Sequence, residues 1–435
     1  MALLLPLPTG TDRRRSRIPW VTYSLIAANI IVYIATFLPN TATPDYQLLL
    51  RWGVVPGALH PVTLLTGLFL HVSFSHLFWN MAFLWIFGPH VEDAIGHPLF
   101  IVLYFGGGIA GGMLHMSIVL MTAPNGMAMY APLVGASGAI SAILAPYAVR
   151  FHRSNIQMLW LPGLFLRHGW ARLQVPAVAG LGVWLLQNVV GGVKEVRLPE
   201  SGEVAYWAHI GGFIFGLLTA ELTHLFRQGQ QEYLLVDARG AATRGQDLLS
   251  LAVQKYRGFL ITDPNNASIR AELARTLVQH AVQSQYGSVS DRDEAAREML
   301  AAIRAYQSTG AAKEALALHD EAGKLRLAVG LTPRERLRLS NGALEIGDLG
   351  GAERLLRLLL SEAPETPEAE MARLKLGQML LKTDPAQSKS VLSGFLTRYP
   401  DSEWVHKVRD LRAEAERLIN EGAAPASTTS DARGE

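Results

Sequence analysis

The chain has no cysteine among its 435 residues, which excludes disulfides, thiolate metal sites and a cysteine nucleophile together. It is also poor in charge. Asp, Glu, Lys and Arg make up 17% of it, and the 39 basic residues barely outnumber the 37 acidic ones. So small an excess, with no basic stretch interleaved with stacking aromatics, offers no grip on nucleic acid, and that class of partner is set aside. No group of His, Asp and Glu has a spacing that closes a metal site, so neither a metal nor a cofactor is expected.

Apolar residues are abundant instead. They form 49% of the chain, and the mean hydropathy of +0.19 is too high for an ordinary soluble protein. They are also unevenly spread. Up to about residue 226 the sequence has long apolar runs with glycine and tryptophan, whereas beyond it alanine, leucine, glutamate and arginine dominate. An all-α chain follows, with a membrane domain ahead of a soluble helical one. The expected division is a basic cytoplasmic segment at 1–17, a membrane domain at 18–228, a helical domain at 229–421 and a disordered tail at 422–435.

Six spans are expected near residues 18–38, 63–87, 99–121, 132–149, 175–190 and 205–226. The arginine cluster at 13, 14, 15 and 17 follows the first apolar residues rather than preceding them, the wrong polarity for a cleavable signal peptide. With Arg150, Arg153, Arg167, Arg172 and Arg227 it puts both termini on the cytoplasmic side.

Within these spans a few polar residues stand out. Ser137 lies in Gly135-Ala136-Ser137-Gly138, followed by Ala139, Ala142 and Ala145 at helical spacings. Such a stretch reads either as close helix packing or as a nucleophile with room for a substrate backbone, and the second reading needs a base at the same depth. His76 and Asn80, four apart, share a helix face, and His71 is offset from them. His209 lies on a stripe with Ala205, Gly212 and Gly216. Counting back to the cytoplasmic ends puts Ser137, His209 and Asn80 at about 20, 27 and 18 Å, so all three can meet in one cavity opening outward. There Ser137 would be the nucleophile, His209 its base, and His76 and Asn80 the oxyanion donors. No intramembrane Asp or Glu is placed to orient His209, which makes a dyad rather than a triad.

In this order the motifs resemble those of the rhomboid intramembrane serine proteases. HVSFSHLFWN at 71–80 is similar to the family's second-helix motif, GASG at 135–138 to its nucleophile motif, and AHIGGFIFG at 208–216 to its last-helix histidine and glycines. Gly88, Glu92 and Gly96 resemble the turn after the second helix. The resemblance implies a six-helix bundle and a Ser–His dyad that cleaves transmembrane protein substrates near their outer ends in the lipid bilayer. Ser137 and His209 match the dyad, His76 and Asn80 the oxyanion donors, and His71 a structural histidine, with Gly135, Gly138, Gly212 and Gly216 supporting the site. Two positions depart from the family's pattern. Ser141 stands where many relatives have a tyrosine packed on the catalytic imidazole, and Arg51-Trp52 reverses the usual order of a loop pair. The resemblance also makes the fifth span and residues 191–204 a substrate gate and cap, with Gly191-Gly192 a plausible hinge.

Beyond residue 230, amphipathic segments alternate with proline or aspartate breaks. Leu355, Leu356, Leu359, Leu360 and Pro364 recur 36 residues later as Val391, Leu392, Phe395, Leu396 and Pro400, with an earlier copy in Tyr256, Leu260 and Pro264. Repeats of this length resemble tetratricopeptide solenoids, which implies a surface for a protein partner; the plainer reading of the same segments is a generic helical bundle that buffers the membrane domain. The expected function is an intramembrane serine endopeptidase carrying an interaction domain. The alternatives are a catalytically silent rhomboid-like protein that binds and sorts clients, and a transporter relaying protons through His76 and His209. A bacterial inner membrane is the expected location.

Overall fold

The computed structural model describes residues 7–11, 17–37, 45–160, 171–197, 205–283 and 289–422. The arginines at 13, 14 and 15, Arg167 and the tail beyond 422 lie outside them. The chain forms two compact units, Met1–Glu232 and Tyr233–Glu435.

The first unit is built on helices α1 (Trp20–Phe37), α4 (Phe74–Ile95), α5 (His97–Thr122), α6 (Ser137–Arg150), α7 (Ala177–Arg197) and α8 (Tyr206–Leu222), with two short ones, α2 (Tyr46–Trp52) and α3 (Thr63–Thr66), between α1 and α4. Among the described residues, α5 and α7 alone are long and apolar enough to cross a membrane unaided. Four candidate spans result if each of two bent pairs is counted as one, and Trp20–Thr36 is a shorter apolar helix. Apolar side chains such as Ile31, Trp85, Leu186 and Leu218 are exposed on the outside of this unit, as lipid contact requires.

Several boundaries differ from expectation, each for a local reason. The second span is broken: Thr63–Phe69 and Phe74–Ile95 meet at 96°. Leu70 is extended there, and Ser73 caps α4 by accepting the His76 N–H at 3.2 Å, so His71 lies in the break rather than on the helix. The fourth helix starts at Ser137, not near 132, because Leu133 pairs with Val54 in an isolated antiparallel bridge. Gly191-Gly192 is no hinge, since α7 runs unbroken through it to Arg197. A Cβ on Gly191 would stand 2.4 Å from the Tyr206 ring, so the glycine permits close approach instead. A small antiparallel sheet also interrupts an otherwise mostly helical chain: β1 (Leu7–Thr11), β2 (Asn155–Trp160) and β3 (Ala171–Pro176), in that order.

Two devices hold the bundle together. The buried Glu92 carboxylate accepts the backbone N–H groups of Val21 and Thr22 at 2.9 and 2.8 Å and the Thr22 hydroxyl at 2.5 Å. It thereby satisfies orphan donors at the start of α1 with an anion at the helix's positive end. Glycines then let α8 sink against α5 and α6. A Cβ on Gly111 would meet the Ala208 carbonyl oxygen at 2.4 Å, and one on Gly216 the Ala142 carbonyl oxygen at 2.2 Å.

The second unit takes in α9 (Leu225–Arg244) from Tyr233 onward and then α10 (Leu249–Thr262), α11 (Ala267–Gln283), α12 (Val289–Ser308), α13 (Ala312–Lys324), α14 (Pro333–Glu345), α15 (Leu349–Glu362), α16 (Pro367–Leu380), α17 (Pro385–Arg398) and α18 (Val405–Gly422). The expected breaks are helix starts: Pro333, Pro367 and Pro385 open α14, α16 and α17, and Thr332, Asp348 and Asp384 cap α14, α15 and α17. The repeating apolar residues face inward, Leu355, Leu356 and Leu359 from α15, Leu392 and Phe395 from α17, and Tyr256 and Leu260 from α10. Polar side chains join six helices to the next but one: Arg239 to Glu272, Arg257 to Glu294, Arg275 to Glu321, Arg304 to Glu335, Asp320 to Arg354 and Arg357 to Gln387.

One of these pairs sets a pH dependence. Glu272 accepts two hydrogen bonds from Arg239 and one from the Tyr256 hydroxyl at 3.0 Å, and this holds its carboxyl below the ordinary value of 4.5. A depressed folded-state value means that the stabilisation is complete above the unfolded-state value and is lost as pH falls through the folded one. Hydrogen exchange of α11 in the full chain should therefore show wild type better protected than Glu272→Gln above about pH 5. The difference should vanish in stronger acid, and a constant difference across that range would refute the linkage.

Candidate active site

The site is assembled from three helix starts and one helix interior. In α4, the Ser73 cap fixes the first turn, which carries His76; Asn80 follows one turn later on the same face. Just before α6 the backbone turns through Gly135 at φ +117°, where a side chain is strained. A Cβ at Gly135 would also stand 2.7 Å from His76 Cε1 and 2.8 Å from its Nε2, so the glycine lets the imidazole lie directly against the loop. His71, in the break, is buried and packs edge-on against His76 with ring centroids 5.0 Å apart.

Ser137 is the first residue of α6 and has no side-chain cap ahead of it, so the first backbone N–H groups of that helix are available to an anion. Gly138, next to it, faces the Ala208 carbonyl oxygen at 3.4 Å from its Cβ position. In α8, a Cβ on Gly212 would stand 2.0 Å from the Gly138 carbonyl oxygen, which shows how closely the helix bearing His209 lies on the helix bearing Ser137.

Ser137, His209, His76 and Asn80 line one cavity of about 500 Å³. His76 Nδ1 and Asn80 Nδ2 are buried there without a hydrogen-bond partner among the described residues. A buried amide donor left unpaired is costly unless something else uses it. No hydrogen bond joins the Ser137 hydroxyl to His209; such contacts commonly tighten only once substrate is bound. The cavity thus offers a hydroxyl at a helix N-terminus, an imidazole from the adjoining helix, and unpaired donors opposite.

Residues missed in the sequence complete this picture. His209 Nδ1 lies 2.6 Å from Asn188 Oδ1, and the Trp184 ring lies over the same imidazole at 6.0 Å. Both come from α7 and fill the role left open at Ser141, whose hydroxyl instead donates to the Ser137 carbonyl at 2.7 Å. Glu195, in the stretch 191–204 expected between the fifth and sixth spans, belongs to α7 and lines the cavity with His115 of α5, 3.8 Å away. The signal for Asn188 was a single amide inside an apolar run, which on its own reads as interhelical glue. For Glu195 there was none, because the helix end could not be placed.

Residues 59–226 match the family model described as the Rhomboid domain. The chain is 27% identical over 200 residues to Rhomboid protein 1, mitochondrial, of Saccharomyces cerevisiae, covering 46% of this chain and 51% of that protein. It is 27% identical over 165 residues to RHOMBOID-like protein 12, mitochondrial, of Arabidopsis thaliana, covering 36% and 44%. Against the human Presenilin-associated rhomboid-like protein, mitochondrial, it is 25% identical over 199 residues, covering 44% and 45%. The chain therefore spans about half the length of these curated relatives. Their names overturn the expectation of a bacterial inner membrane, since all three are mitochondrial proteins. Every residue that meets in the cavity falls inside the matched stretch, and the family these comparisons support for the first half of the chain is the rhomboid family.

Proposed function

We propose that the protein is an intramembrane serine endopeptidase that cleaves transmembrane substrates at Ser137. The observation that carries this reading is the single cavity onto which Ser137, His209, His76 and Asn80 open from three different helices. In the proposed reaction, Ser137 Oγ attacks the scissile carbonyl as its proton passes to His209 Nε2, and the same proton later goes to the leaving amine. The oxyanion forms against Asn80 Nδ2, the His76 ring and the backbone N–H groups at the start of α6. Because the peptide bond must reach the cavity in extended form, substrates with glycine or alanine near the cut are favoured.

The test is labelling of the membrane-reconstituted full chain with a fluorophosphonate, compared with Ser137→Ala and His209→Ala. A folded wild type that takes no label would favour the client-binding alternative. The oxyanion assignment is tested separately. Asn80→Ala and His76→Ala should each lower the maximal cleavage rate by about 10²-fold with little change in half-saturation, since the donors act on charge that develops in the transition state. An effect confined to half-saturation would move these residues to substrate binding.

For the second unit we propose a repeat solenoid of tetratricopeptide type that presents a surface to a protein partner. The ladder of polar pairs that joins α9 to α11, α10 to α12, α11 to α13 and α12 to α14 supports it, because stacked helix pairs make that contact in register.

A further inference from the structure

We infer that Asn188 is a positioning residue that fixes the tautomer of His209, leaving Nε2 as the bare nitrogen in the cavity that His209 shares with Ser137. This deepens the serine–histidine reading above and rests on it. Asn188 Nδ2 donates to the Trp184 carbonyl oxygen at 2.8 Å, one turn earlier in α7. A carbonyl oxygen can only accept, so the amide nitrogen must face it and Oδ1 must face away. Oδ1 then meets His209 Nδ1 at 2.6 Å, and Oδ1 can only accept as well. The proton therefore sits on Nδ1. In a neutral imidazole this leaves Nε2 with the lone pair, as a base for the Ser137 hydroxyl requires.

The environment makes the bond effective. Asn188 is buried at 5% exposure, in a helix whose other face carries exposed valines and leucines. An unpaired amide in that setting is costly, and water does not compete for its oxygen. Trp184, which anchors the amide nitrogen, also lies against His209 and against Phe213 at 6.1 Å, so the ring is held in plane as well as in tautomer. In the chemical step the Ser137 proton moves to Nε2 while the Nδ1 proton stays on the Asn188 bond. Asn188 itself neither gains nor loses a proton.

Two measurements test this. The first is the 15N spectrum of the reconstituted chain labelled at its 13 histidines. Wild type minus His209→Ala isolates the His209 signals, which should show a protonated Nδ1 and a bare Nε2; the opposite tautomer overturns the inference. The second is fluorophosphonate labelling. Asn188→Leu, similar in volume but without an acceptor, should lower the labelling rate by about 10²-fold, while Asn188→Asp, which keeps Oδ1, should recover most of it. A folded Asn188→Leu that labels like wild type overturns the inference and leaves the serine–histidine reading standing. Should Asn188→Leu fail to fold, the tautomer spectrum still decides. If wild type takes no label, or Ser137→Ala keeps it, the serine–histidine reading falls and this inference with it.

Discussion

Ser137→Ala is expected to reduce cleavage to background, a loss on the order of 10⁶-fold, with no change in unfolding midpoint. The size follows from the absence of a substitute. Of the other two hydroxyls lining the cavity, Ser141 donates to the Ser137 carbonyl oxygen and Ser73 is held as the cap of α4 by the His76 N–H, so neither is placed to take over from Ser137 Oγ. His209→Ala should cost about as much, because an unassisted serine hydroxyl is a poor nucleophile. The informative quantity is the double variant. If serine and histidine act as one unit, removing both should be no worse than removing either, since the step they share is already gone. Additive losses would mean that the two residues serve different steps, and retained cleavage in Ser137→Ala would end the serine mechanism outright. Unchanged stability is part of the expectation: Ser137 is only half-buried and its side chain makes no hydrogen bond among the described residues.

The polar residues of the candidate site were legible because each is an exception in its surroundings. Histidine, asparagine and serine within apolar runs carry a desolvation cost that draws the eye, and their helical spacing says which of them share a face. Geometry between helices was not legible in the same way. The break before α4 hides inside a continuous apolar run, since hydropathy adds up across Leu70 and Val72 whether or not the backbone stays helical. The sheet was missed because β2 and β3 are short and lie between charged loop residues that read as a connection. Gly191-Gly192 shows a deeper ambiguity: a hinge and a close approach both call for glycine, and the ring of Tyr206 that decides between them is fifteen positions away in sequence. Asn188 was invisible for a related reason, as its meaning depends on which side chain of α8 stands opposite.

The second large effect is structural, and it ties the packing to the chemistry. Gly212→Val should prevent the first unit from folding stably, at a cost of more than about 4 kcal/mol. Even a single methyl group at Gly212 would stand 2.0 Å from the Gly138 carbonyl oxygen, far inside contact distance. That obstacle is backbone and cannot rotate away, so α6 and α8 must separate. A control is available in α7, where Gly182 has open space around it among the described residues. Gly182→Ala should change stability by no more than about 1 kcal/mol, the intrinsic helix preference for alanine. Denaturing-detergent titration followed by tryptophan fluorescence compares the two, and equal stability of Gly212→Val and Gly182→Ala would show that α6 and α8 do not touch as described. Gly212→Ala is the intermediate case. Its helices need to part by on the order of an ångström, which also draws His209 away from Ser137, and misplacement on that scale can cost about 10²-fold in rate. A variant that remains folded yet labels a hundredfold more slowly would tie the glycine stripe to catalysis through distance alone, without contact between Gly212 and any reacting atom.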